Sequence, residues 1–181
     1  MDTMNCNLSA VLFDEGTIQT RIRELGAELS SEYAHKNPVL ICILKGAVTF
    51  LTDLMRNMTI PLEIDFMSIS SYGDSTKSSG VVKIRKDIDI DITDRHVIVV
   101  EDIVDSGLSL HYLKEYLDKH KPKSVKACVL LDKPAAHKVV VEIDYKGFEI
   151  ENEFVVGYGL DYAERYRNLP YIGILKEEVY S

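Results

Sequence analysis

Apolar residues recur along this chain in two periods, and the switching between them predicts its elements. Ile18, Ile22, Leu25 and Leu29 repeat at helical spacing, which predicts an amphipathic helix from Thr17 to about His35, ended by Asn37-Pro38. Val39-Leu40-Ile41-Cys42-Ile43-Leu44 is an unbroken apolar run, the pattern of a strand buried on both faces in a parallel sheet. Lys45-Gly46 follows, and then a helix from about Ala47 to Arg56 with Val48, Leu51 and Met55 on one side. Residues 62–69 alternate as a strand does. Residues 70–80, Ser-Ser-Tyr-Gly-Asp-Ser-Thr-Lys-Ser-Ser-Gly, hold no apolar anchor except Tyr72 and read as a loop, a candidate lid. Residues 81–92 alternate again, and their Asp-Ile repeat predicts a two-stranded ribbon with one wet face.

The most informative piece comes next. Val97-Ile98-Val99-Val100 runs into Glu101-Asp102-Ile103-Val104-Asp105, then a Ser106-Gly107-Leu108-Ser109 turn. Leu110, Leu113 and Leu117, with Tyr116 alongside, continue at helical spacing until Lys121-Pro122. Residues 124–131 form a further strand ending in Asp132-Lys133-Pro134, and Ala135 to Val141 stays open between strand and short helix. Gly147 to Val156 is strand-rich, and Tyr171 to Leu175 makes a last strand. Alternating strands and helices predict an α/β fold, a mainly parallel twisted sheet with helices on both faces. Ligands in such folds bind beyond the C-terminal ends of the strands. Lys45-Gly46, the Glu101–Ser109 turn and Asp132-Lys133 each follow directly on a predicted strand, so one rim should carry all three.

Composition narrows the function. At 181 residues the chain suits a single domain with a full core. A formal charge of −8 argues against nucleic acid or a membrane surface as partner, because either needs a basic face. It still admits a small anionic ligand, since local cations or a bound metal reverse the potential. Cys42 and Cys128 sit inside strand-like apolar runs and Cys6 stands apart, which predicts buried thiols rather than disulfides or metal ligands. The first residues lack a basic region followed by an apolar stretch, and no apolar run approaches ~20 residues. A cytoplasmic protein is the expectation.

The acidic turn suggests the chemistry. Where a helix begins, free backbone N–H groups and the hydroxyls of Ser106 and Ser109 suit a phosphate, and Gly107 permits close approach. No lysine lies in the turn, so a nucleoside triphosphate fits poorly. Glu101 and Asp102 are hard ligands suited to Mg²⁺ and to sugar hydroxyls, and Asp105 is placed to take a proton. The plain alternative, carboxylates that merely cap the next helix, would serve for a lone Asp-x-x-Asp. Three carboxylates beside a phosphate-like turn weigh against it.

Residues 97–109 resemble the phosphoribosyl-pyrophosphate signature of the type I phosphoribosyltransferases. Leu131-Asp132-Lys133-Pro134 and Phe154-Val155-Val156-Gly157-Tyr158-Gly159-Leu160-Asp161-Tyr162, with Arg167 beyond, are similar to the hypoxanthine-guanine branch of that family. The match runs in order from Lys45 to about Leu175. The resemblance implies transfer of ribose 5-phosphate from phosphoribosyl pyrophosphate to a 6-oxopurine, with Mg²⁺ as cofactor. It puts Glu101 and Asp102 on the ribose hydroxyls directly or through Mg²⁺, Asp105 at the purine N7, and residues 106–109, beside Ile103 and Val104, around the 5-phosphate. Lys45, Gly46 and Arg167 would bind pyrophosphate, with a cis bond between Leu44 and Lys45. Lys133 would donate to the purine O6, Phe154 would stack on the base, and the Val155 backbone would meet its edge near position 2. Asp161 would help hold a second Mg²⁺, and Ser71-Tyr72 would be the lid dipeptide. A core of about 17–145 would carry a small hood from 1–16 and 146–181, in a homodimer or homotetramer.

Three other readings compete. A non-catalytic regulator with the same sugar site would need a DNA-binding extension or a basic face, and this acidic chain starts its first helix by about residue 17. A phospho-acceptor receiver domain would place an acidic pair after the first strand, where Lys45 stands. A xanthine-preferring enzyme of the same fold stays open, because the side chains near purine position 2 are not evident from sequence.

Overall fold

The apolar runs alternate strictly between two cores in the computed structural model, which describes residues 5–71 and 82–181. A six-stranded sheet of order β4-β3-β2-β5-β6-β7 is built from β2 (Val39–Leu44), β3 (Glu63–Ser71), β4 (Val82–Lys86), β5 (His96–Val104), β6 (Ser124–Asp132) and β7 (Tyr145–Glu149). All neighbours are parallel except β4, antiparallel on the β3 edge. Leu40, Cys42, Ile98, Val100, Cys128 and Leu130 pack under α1 (Glu15–Glu32) and α2 (Val48–Asn57). Their chain neighbours Val39, Ile41, Val97, Val99, Ala127 and Val129 face Leu110, Leu113 and Leu117 of α3 (Leu108–Asp118). Both faces of the central strands are covered, so β2 and residues 97–100 of β5 are apolar at every position. The expected α/β architecture is the observed one. The two inner cysteines are buried and free, and burial pushes the Cys42 thiol up to about 12.

Helix α1 starts two residues before the expected Thr17, because the Asp14 carboxylate accepts the Thr17 N–H at 2.7 Å and caps it. Two expectations change. The Asp-Ile repeat is not a ribbon beyond Lys86. The buried carboxylate of Asp65 on β3 accepts the N–H groups of Asp89 and Ile90 at 2.7 and 3.0 Å, so a side chain supplies the acceptors a strand partner would have offered. Ile88 and Ile90 still pack on the α3 side, which is why the sequence alternates. The core sheet also runs past the boundary expected near residue 145, since β7 pairs with β6 through Glu149. The segment left open after Lys133 forms one 3-10 turn, Pro134–Ala136.

The chain's two ends meet in a second, antiparallel sheet of order β1-β9-β8, from β1 (Leu8–Phe13), β8 (Val155–Val156) and β9 (Ile172–Leu175). Tyr158 donates to the Asp53 carboxylate, as does Gln19 at 2.6 Å, and this ties the loop after β8 to α1 and α2. No helix among the described residues is long and apolar enough to cross a membrane.

Candidate active site

Strand order brings the three polar strand ends to one rim. β5 lies between β2 and β6, so Lys45-Gly46, Glu101–Ser109 and Asp132-Lys133 are adjacent. The Leu44–Lys45 peptide is cis. Gly46 is required by contact: a Cβ there would lie 1.6 Å from Oδ2 of Asp102. Gly159, at φ +100°, presses on the same loop, and its Cβ would lie 2.1 Å from the Gly46 carbonyl oxygen. Two glycines therefore let β2, β5 and the 157–161 loop close on one point.

The β5 end is acidic and short of partners. Glu101 is buried, and its Oε2 accepts no hydrogen bond. Burial, reinforced by the charge of Asp102, holds its carboxyl well above the usual carboxylate range. Burial likewise raises Asp102 to about 6, against the Ile103 N–H that donates to its Oδ1 at 2.9 Å and the pull of Arg167. An orphaned buried carboxylate oxygen beside a second strained acid is a donor set that fits a divalent cation. Glu101, Asp102 and Asp161 do not converge as one cage, and no group of three His, Cys, Asp or Glu does so among the described residues. Mg²⁺ fits such a set, because it takes one or two carboxylates and leaves the rest of its shell to water and substrate phosphates.

Beyond these acids the turn opens on a cavity of about 110 Å³, lined by Glu101, Asp105, Ser106, Gly107 and Ser109 with Ile103, Val104 and Leu110. Gly107 adopts φ +78° and hands over to α3, whose first N–H groups have no side-chain cap. Ser106 Oγ lies 3.5 Å from the Leu108 N–H. Helix start, left-handed glycine and hydroxyls make an anion cradle. Lys133 is buried beside it. Its N–H donates to the Val104 carbonyl at 2.9 Å, and its Nζ lies 3.6 Å from Asp105 Oδ2, whose side chain is exposed.

The cations on the other side are already paired. Arg167 donates from Nη1 to the Gly159 carbonyl at 2.7 Å, and its Nη2 lies 2.8 Å from Asp161 Oδ1 and 3.4 Å from Glu164 Oε2. Lys45 Nζ meets Glu164 Oε1 at 3.0 Å, and this contact draws the Glu164 carboxyl below its ordinary range. Glu164 N–H donates to Asp161 Oδ2 at 2.9 Å, so both Asp161 oxygens are engaged. Sequence reasoning missed Glu164. The segment is a run of turns with positive φ at Ala163, Glu164 and Tyr166, so no helical or strand period announces which side chains face the site.

Phe154 stands half-exposed just before β8, whose first residue, Val155, is buried. Ser71 ends β3, whereas Tyr72 and the rest of the expected lid lie outside the described residues. Contacts link Gly46 to Asp102 and Gly159, Lys133 to Asp105, and Arg167 to Asp161.

Residues 12–163 match the model of the phosphoribosyl transferase domain. The chain belongs to the phosphoribosyltransferase family. It is 53% identical to a hypoxanthine-guanine phosphoribosyltransferase of Bacillus subtilis, over 98% of this chain and 99% of that one. It is 54% identical to a bifunctional protein TilS/HprT of Listeria innocua over 99% of this chain, which spans 28% of that relative's length. A crystal structure of a hypoxanthine phosphoribosyltransferase from Staphylococcus aureus superposes with a TM-score of 0.96 at 46% identity, covering 100% of this chain and 99% of the other. The phosphoribosyltransferase fold thus holds over the whole described chain, and the rim just described is the one its parallel strands create.

Proposed function

We propose that this phosphoribosyltransferase acts in purine salvage, transferring ribose 5-phosphate from phosphoribosyl pyrophosphate to hypoxanthine or guanine. The observation that carries this reading is the adjacency, on one rim, of an anion cradle, the buried Glu101 with an unpartnered oxygen next to Asp102, and a buried lysine beside Asp105. Residues 106–109 hold the 5-phosphate, flanked by Ile103 and Val104. Glu101 and Asp102 take the ribose hydroxyls and would hold Mg²⁺, which would supply positive charge against the leaving pyrophosphate. Asp161 would hold a second metal, and Lys45, the Gly46 backbone and Arg167 contact the pyrophosphate.

The ammonium of Lys133 donates to the purine O6, which selects a 6-oxopurine over adenine, whose 6-amino group offers no acceptor in its place. Phe154 stacks on the base and the Val155 backbone meets its position-2 edge. The purine N9 then bonds to ribose C1 as the C1–O bond to pyrophosphate breaks, its electron pair leaving on oxygen. The N7 proton passes to Asp105. Keeping water from the oxocarbenium-like sugar is the role assigned to Ser71 and Tyr72. The enzyme works as a cytoplasmic homodimer or homotetramer.

A panel of hypoxanthine, guanine, xanthine and adenine, each with Mg²⁺ and phosphoribosyl pyrophosphate, tests the reading through pyrophosphate release. Release with hypoxanthine or guanine is the expected result. Release with xanthine alone would make the enzyme xanthine-preferring, and release with none of the four would overturn the reading.

A further inference from the structure

Phe154 does not stand alone. The ring of Tyr180 lies nearly parallel to it, with centroids 4.7 Å apart and planes inclined by 20°, the offset stack that aromatic pairs favour. Tyr162 meets Phe154 edge-on at 5.7 Å and 87°. With two rings against it, Phe154 still keeps 37% of its surface open. That remaining surface is what a planar base would use.

Tyr180 reaches Phe154 from a short C-terminal turn, α4 (Glu177–Tyr180). The turn is anchored at its start, where the Lys176 N–H donates to the Asn7 carbonyl at 2.9 Å. It is anchored in its middle by Val179, which packs on the hood cluster of Val156, Tyr166, Leu169 and Leu175. The Leu175 N–H donates in turn to the Phe154 carbonyl at 2.8 Å. Phe154 and Tyr180 are thus two ends of one rigid unit running from β8 through β9 into α4. Tyr180 itself is 37% exposed, so its ring adds little to the hood core beyond this stack.

We infer that Tyr180 is a positioning residue for the base: it backs Phe154 and holds the ring in the plane a 6-oxopurine stacks on. The inference rests on the reading of Phe154 as the base-stacking ring. A ring held in place before the base arrives spares the base the cost of ordering it. Among the described residues, no hydrogen bond, ion pair or ring contact joins Tyr180 to the sugar or phosphate half of the rim, so its effect should fall on one substrate only.

Tyr180→Ala should raise KM for hypoxanthine about three- to tenfold, the scale of one aromatic contact, with KM for phosphoribosyl pyrophosphate and the melting temperature unchanged. Tyr180→Phe should restore the wild-type value, because the ring and not the hydroxyl makes the stack. The chain has no tryptophan, so Tyr180→Trp supplies a single reporter without reference to turnover. Its emission should change when IMP is added and stay constant with Mg²⁺ and phosphoribosyl pyrophosphate alone. Phe154→Ala is the control for the underlying reading. If it raises KM for hypoxanthine while Tyr180→Ala leaves that KM unchanged or lowers it, the inference is overturned and the reading survives. If Phe154→Ala changes nothing, the role of Phe154 falls, and that of Tyr180 with it.

Discussion

At the end of β5, the buried carboxylate of Glu101 and the partly buried one of Asp102 follow one another, and one Glu101 oxygen has no donor within reach. Across Gly46, Lys45 and Arg167 both sit on Glu164, and Asp161 has both oxygens engaged. The first region is short of positive charge, and burial makes that shortage costly. The second is neutralised within itself and solvent-facing at Lys45 and Glu164, so its pairs are individually weak. The contrast separates two ways of preparing for a doubly anionic ligand. On the proposed reading, the acid pair would take a cation that the substrate brings, and the paired cations would exchange a weak internal carboxylate for stronger phosphate oxygens.

The largest effect should come from the residue between the two demands. Asp105→Asn should bind both substrates yet lose ~10²–10⁴ in turnover, measured by single-turnover formation of nucleotide. Unchanged turnover would remove Asp105 from proton transfer. Gly46→Ala comes next, because it forces a methyl group to within 1.6 Å of Asp102 and separates the two regions at their contact. Its kcat/KM for phosphoribosyl pyrophosphate should fall about 10²-fold, the usual cost of an ångström-scale misplacement. A silent Gly46→Ala would show that the acids and the pyrophosphate loop do not need their present spacing.

A smaller effect distinguishes the regions by pH. The folded chain holds protons on Glu101 and Asp102 more tightly than the unfolded chain does, so metal-free stability should fall as pH rises through about 6. Melting temperature without metal should therefore rise about 2–4 °C between pH 7.5 and 5.5, and Glu101→Gln/Asp102→Asn should flatten that rise. Glu32, which its contacts with Lys126 and Tyr145 hold below its ordinary 4.5, acts in the opposite sense. The stability it contributes is present above that value and is lost only as pH falls below it. The smallest effect belongs to the paired corner. Glu164→Gln should tighten inhibition by pyrophosphate about two- to fivefold, the scale of an exposed ion pair, and the gain should vanish in a Lys45→Ala background.

The same contrast explains what was legible in the sequence. The β5 end was legible because a strand, its acids, the turn and the helix follow one another within residues 97–117, and local periods describe local structure. So was the α/β architecture, since Val, Ile and Leu runs report burial on both faces. The paired corner was not. Glu164 enters through consecutive positive-φ turns, and its partners lie 119 residues away at Lys45 and three away at Arg167. The Asp65 carboxylate, standing in for a strand, defeated the ribbon expected at 87–92 for a related reason. A side chain replacing backbone partners leaves the apolar period intact while removing the element it normally marks. The strand expected within residues 147–156 starts two residues earlier and ends at Glu149, where its pairing with Asp132 at the end of β6 stops.

On the proposed reading, Glu101 and Asp102 take a cation delivered with the sugar. Calorimetric titration of phosphoribosyl pyrophosphate into the protein, with and without Mg²⁺, tests it most directly when wild type is set beside Glu101→Gln/Asp102→Asn. The account predicts tight binding to wild type only when Mg²⁺ is present, and weak, nearly Mg²⁺-indifferent binding to the variant. Equal binding to wild type with and without Mg²⁺, or an undiminished Mg²⁺ requirement in the variant, would contradict it.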